Sequence, residues 1–170
     1  MTRDQKTVAA GAAAGVATMV LMVWALSGTI APAAIADAPS DRLAYALPWA
    51  VVAALPLVGM VAAVGNARAM SDAIDPTLGK ESPAMKIDGR VLDNTLQQFV
   101  LFVVGMLALS VSLPLNRLNV VGAAAITFVV MRLAFWVGYR IRPVYRAFGF
   151  ASTFYLNLAM LIAALWFWAR

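Results

Sequence analysis

Two short constellations hold the side chains that could do chemistry. In "KIDGRVLDNTLQQFVLF", Arg90, Asn94 and Gln97 fall at i, i+4 and i+7, a spacing that puts them on one face of a helix. Gln98 lies on a neighbouring face. A guanidinium followed by two amides makes a ladder of hydrogen-bonding groups. The second constellation is "MRLAFWVGYRIRPVYRAFGF", residues 131–150, where Arg132, Phe135 and Tyr139 share a face and Arg140, Arg142 and Arg146 follow. Arg132 sits nine residues before Ile141, roughly 14 Å along a helix axis, and snorkelling only shortens that depth. An ionisable residue this deep in a span faces the bundle interior and needs a partner. No carboxylate in the neighbouring spans is well placed to serve, so an anionic ligand is the expectation for Arg132.

The absences narrow the chemistry. The chain has no cysteine and no histidine, which removes disulfides, a thiol nucleophile, and the commonest metal ligand and general base near neutral pH. Its eight carboxylates lie almost all outside the apolar segments, so no metal site is expected. Catalysis has to rest on arginine, tyrosine, amides, or a reactive group carried by the substrate.

The elements that must position these residues are membrane helices. Of 170 residues, 63% are hydrophobic and 12% charged, against roughly half and a quarter in soluble domains. The apolar residues gather in blocks long enough to cross ~30 Å of hydrocarbon as helices. Five spans are predicted, at about Thr7–Ser27, Leu43–Ala67, Val91–Leu113, Leu118–Ile141 and Phe150–Ala169. No alternating barrel pattern competes. Asp88 is read as the N-cap of the third helix, with Asp93 near its positive end. Pro48 and Pro56 are expected to bend the second helix without breaking it. The amino-terminal segment has a second reading, as a signal peptide with small residues near Ala34 and Ala36. Its apolar run exceeds the usual ~7–15 residues, which favours a retained helix.

Basic residues set the orientation. With the N-terminus in the cytoplasm, Arg3, Lys6, Arg68, Lys80, Lys86, Arg90, Arg132, Arg140, Arg142 and Arg146 fall on that side, and Arg42, Arg117 and Arg170 on the other. The net charge of +5 then reflects loops facing anionic lipid, and nucleic acid is not an expected partner. Arg140 and Arg142 read as helix-dipole partners and lipid-phosphate anchors. Trp49, Trp136, Trp166 and Trp168 read as interfacial belts, and Asn94 and Gln97, taken alone, serve equally as helix–helix hydrogen bonds.

At these residues the chain resembles the MAPEG family, the membrane-associated proteins of eicosanoid and glutathione metabolism. The first signature of that family reads here as Arg90, Asn94 and Gln97, and the second as Arg132, Phe135, Gly138-Tyr139 and Arg146. An Ala67-Arg68 pair before the long loop is also similar. The resemblance covers residues 43–170 as a four-helix membrane domain, and leaves residues 1–42 as an additional helix and non-cytoplasmic loop. It implies an all-α integral membrane protein, a bacterial-type homotrimer in an inner membrane, with glutathione held between subunits at the cytoplasmic side. Arg68, Arg90 and Arg132 would take carboxylates, Asn94, Gln97 and Tyr139 would supply hydrogen bonds, and Arg146 would activate the thiol. Arginine's planar fork suits carboxylates, and glutathione would bring the nucleophile the chain lacks.

Gln97 stands where the family has glutamate, and Gln98 and Phe135 stand where the eicosanoid branch commonly has tyrosine. A specialised leukotriene or prostaglandin synthase is therefore not the expectation. The leading reading is a glutathione-dependent transferase or peroxidase acting on lipophilic electrophiles from the bilayer. The alternative is a non-catalytic member of the fold that binds a lipid or anionic small molecule or serves an assembly. A small transporter is disfavoured, since the spans show no acidic relay and no convincing inverted repeat.

Overall fold

The computed structural model describes residues 1–170 as five long helices joined by short turns. These are α1 (Arg3–Thr29), α2 (Pro39–Ala69), α3 (Pro83–Ser112), α4 (Val120–Ile141) and α5 (Ala147–Trp168). All five are long and apolar enough to cross a membrane. Short 3₁₀ turns at Asp72–Ile74, Pro76–Leu78, Leu115–Arg117 and Pro143–Arg146 lie in the connections. The expected all-α membrane bundle is the observed fold.

Helix starts follow local chemistry more than hydropathy. α1 opens on a capping box: the Thr2 hydroxyl accepts from the Gln5 N–H, and the Gln5 side chain accepts from the Thr2 N–H, which satisfies two end groups at once. α3 begins at Pro83, eight residues before the predicted span, with Ser82 as N-cap accepting from the Met85 N–H at 3.2 Å. Asp88 is therefore not an N-cap. It lies inside the helix, buried, where the Ser-Pro signal at 82–83 displaces it. α2 runs unbroken through Pro48 and Pro56.

α4 packs against all four other helices, and α5 packs against α1, α3 and α4. Lipid is as apolar as a leucine side chain, so close packing and interhelical hydrogen bonds hold such a bundle together. Ala123, Ala124 and Ala125 are buried in α4, and Phe102 meets Phe128 with ring centroids 4.5 Å apart. Gly149 lets α5 approach α4 closely: a Cβ there would lie 2.5 Å from the Met131 carbonyl oxygen and the Phe135 nitrogen.

At the opposite end, Arg42 is tied into the bundle. Its Nε donates to Asp37, and Nη1 donates to the carbonyls of Ser110 at 3.2 Å and Leu113 at 2.5 Å. Two tryptophans assigned to interfacial belts are also engaged within the bundle. Trp49 sits over Gly122, and Trp136 Nε1 donates to Asp88 at 2.8 Å. Trp166 and Trp168 are exposed near the end of α5.

Candidate functional site

Between α1, α3, α4 and the start of α5 lies a pocket of about 540 Å³. Arg90, Asn94, Phe135, Tyr139, Val144, Arg146, Ala147, Phe150 and Val8 line it. Two segments far apart in sequence thus place Arg90, Asn94, Tyr139 and Arg146 around one space. Both arginines are exposed and lack a carboxylate partner in this chain. Arg146 is steered by the turn that Pro143 opens: Nη1 donates to the Pro143 carbonyl at 3.3 Å, and the guanidinium lies 5.1 Å from the Tyr139 ring centroid. Gly138 makes room for that turn, since a Cβ would come within 2.9 Å of the Tyr145 carbonyl oxygen.

Arg132 is fully buried and does not line the pocket. Nη1 donates to Asn94 Oδ1 at 2.9 Å, and Nη2 donates to Thr153 Oγ1 at 2.6 Å and to the Gly149 carbonyl at 3.2 Å. Its Cζ lies 4.3 Å from the Phe135 ring centroid, while Nε has no partner. The expected shortage of carboxylates is real, but neutral acceptors take most of the guanidinium's donors. Asn94 links it to the pocket. With Oδ1 held by Arg132, the Nδ2 end of the amide is left free to donate to an acceptor.

Other expected members lie elsewhere. Arg68 donates to Glu81 at 2.5 Å, and Gln97 is exposed away from the pocket. Gln98, one residue on, is buried and accepts from Asn157 Nδ2 at 2.9 Å. Arg140, expected to anchor at lipid phosphate, is bound to protein, donating through Nε and Nη2 to Asp88 at 2.8 and 2.5 Å. Arg142 pairs with Asp4 of α1 at 2.8 Å. The sequence reading missed Thr153 and Gly149, though Gly149, Thr153 and Asn157 recur every four residues and mark one helix face. It also missed Val8, an aliphatic residue with no chemical signal of its own.

The sequence model of the MAPEG family matches residues 46–166, a stretch that holds every polar residue of the pocket. The chain belongs to the MAPEG family. Among similar proteins, transmembrane protein 79 of Mus musculus is 29% identical over 136 residues, covering 77% of this chain and 34% of that protein. Transmembrane protein 79 of Bos taurus is 28% identical over 131 residues, covering 74% and 33%. The chain spans about a third of the length of these curated relatives. No solved structure matches it. The MAPEG match begins within α2, so α1 lies outside it.

Proposed function

We propose that this MAPEG protein is a glutathione-dependent membrane transferase or peroxidase acting on lipophilic electrophiles. The observation that carries the reading is the pocket itself, where two guanidiniums without carboxylate partners stand beside a tyrosine and an amide. Arg90 and Asn94 Nδ2 receive glutathione carboxylates. Arg146 stabilises the thiolate, whose parent thiol has a pKa of ~8.5 and needs a neighbouring cation to ionise at neutral pH. In the transferase reaction that thiolate attacks an electrophilic carbon, forms the carbon–sulfur bond and displaces the leaving group. Arg132 acts through Asn94, fixing which end of the amide faces the ligand. The apolar lining at Val8, Val144 and Phe150 accommodates the electrophile. Arg68 and Gln97 act, in this scheme, at the contact with a neighbouring subunit of a homotrimer, with residues 43–170 as the family domain and the basic end in the cytoplasm.

A second reading, binding of an anionic lipid or small molecule without catalysis, is favoured by one observation. Gln97 replaces a charged family residue and reaches no partner in this chain. One titration separates the two. In detergent, glutathione should bind saturably and give a thiolate band near the ultraviolet edge, and Arg146→Ala should abolish the band. The absence of both binding and band in the unmodified protein would leave only the binding-protein reading. A band unchanged in Arg146→Ala would keep the activity and remove Arg146 from its role.

A further inference from the structure

α1 lies outside the family match, yet it forms part of the pocket wall. Val8, Gly11 and Gly15 are spaced three and four apart and share one face. At Gly15 the α5 backbone comes so close that a Cβ would run into the Phe148 carbonyl oxygen and lie 2.7 Å from Ser152 Oγ. One turn earlier, a Cβ on Gly11 would lie 3.7 Å from the Ala147 Cβ. One turn earlier again, Val8 lines the pocket alongside Ala147 and Phe150. Both ends of α1 are fastened. Asp4 pairs with Arg142, and Asn119 Nδ2 donates to the carbonyls of Ser27 at 2.7 Å and Ile30 at 3.1 Å. Val8 also borders a more open depression formed with Met1, Asp4, Gln5 and Ala9. Val8, itself exposed, thus stands on the α1 side of the pocket, at the edge it shares with this depression.

We propose that Val8, held by the seated α1, is the specificity wall of this pocket and limits the bulk of the apolar group that can lie beside its cationic side. The ligand class is an anion carrying an apolar substituent. The anion goes to Arg90 and Arg146, and the substituent lies against Val8, Val144 and Phe150. The proposal rests on reading the pocket as a ligand site, but not on the ligand's being glutathione.

The absence of native cysteine allows a test that needs no ligand. In a Val144→Cys protein, labelling by a small maleimide and by a bulky one reads the pocket's width. Adding Val8→Ala should speed the bulky reagent at least threefold, and adding Val8→Trp should slow it about tenfold. The small reagent should stay within twofold in both. Independently, Gly11→Cys with Ala147→Cys should form a disulfide under mild oxidation, because the Cβ separation falls in the usual 3.5–4.5 Å range. This keeps the test decisive if Val8→Trp does not fold. In the cysteine-free protein, Val8→Trp should weaken S-hexylglutathione at least fivefold more than it weakens glutathione. Bulky labelling that ignores Val8, or a cysteine pair that will not close, overturns the wall. If the original protein binds neither glutathione compound while labelling still follows Val8, the wall stands and the glutathione reading fails.

Discussion

Asn94 faces two ways: Oδ1 accepts from the buried Arg132, and the residue lines the pocket that Arg90 and Arg146 also border. Replacing it separates structural from binding effects, because the two respond with opposite sign. Asn94→Asp places a carboxylate beside a buried guanidinium that has only neutral partners, which offsets an uncompensated charge. The thermal midpoint in detergent should rise, while affinity for an anionic ligand in the pocket should fall at least tenfold, about 1.4 kcal/mol. A fall in both would mean that Asn94 has no separate role toward the ligand. Thr153→Val removes one acceptor from Arg132 without touching the pocket lining. It should lower stability by about 1–3 kcal/mol, the usual cost of stranding a buried donor, as measured by detergent unfolding, with ligand affinity changed less than threefold. The difference in legibility between these two residues is physical. An arginine or asparagine inside an apolar span is conspicuous because its burial is costly. A threonine hydroxyl and a backbone carbonyl are everywhere in such helices, and only the fold shows which of them a guanidinium reaches.

Helix α3 shows what hydropathy can and cannot read. The apolar stretch marks where the segment enters lipid, whereas the helix itself starts eight residues earlier at Pro83, set by the Ser82 cap. Those extra turns carry Asp88 onto α4, where it receives Arg140 and Trp136. Residues read as a cap, a lipid anchor and an interfacial ring therefore form one interhelical clamp. Their types were visible in the sequence, but their pairing depends on a helix start that the apolar pattern does not mark. Interhelical packing also governs α1, whose seating against α4 and α5 relies on the closeness allowed at Gly15. A leucine there needs space already filled by the α5 backbone at Phe148 and by Ser152, and overpacking of this kind costs about 1–3 kcal/mol. Gly15→Leu should therefore push α1 outward and cut the yield of the Gly11→Cys/Ala147→Cys disulfide severalfold. An undiminished yield would show that α1 is seated by its two fastened ends alone.

For the whole molecule, the distribution of charge over the two ends of the bundle decides how it sits in the membrane. Contacts between elements place Asp4 with Arg142, Asp88 with Arg140 and Arg68 with Glu81. Arg90 and Arg146 border the same pocket, so the basic residues assigned to one side by counting spans do gather at one end. Arg42, bound near Leu113, belongs to the other. In the proposed orientation, with lysine and arginine near span ends retained on the cytoplasmic side, the pocket's mouth would lie where a soluble cytoplasmic thiol can reach it. The outward-facing Gln97, midway along α3, fits a bundle that associates with copies of itself, since an amide turned to lipid gains from an interhelical hydrogen bond. In the proposed homotrimer, Gln97→Leu should shift the assembly toward monomer in native mass spectrometry from detergent, and an unchanged assembly would place Gln97 outside the interface. Orientation is tested more directly with single cysteines at exposed positions in opposite turns. Leu78→Cys, in the turn between α2 and α3, should react with a membrane-impermeant maleimide only after the cells are opened. Asn116→Cys, between α3 and α4, should react in intact cells. The reverse pattern would put the arginine-lined pocket on the far side of the membrane, where cytoplasmic glutathione could not supply it, and so would remove the thiol chemistry together with the topology.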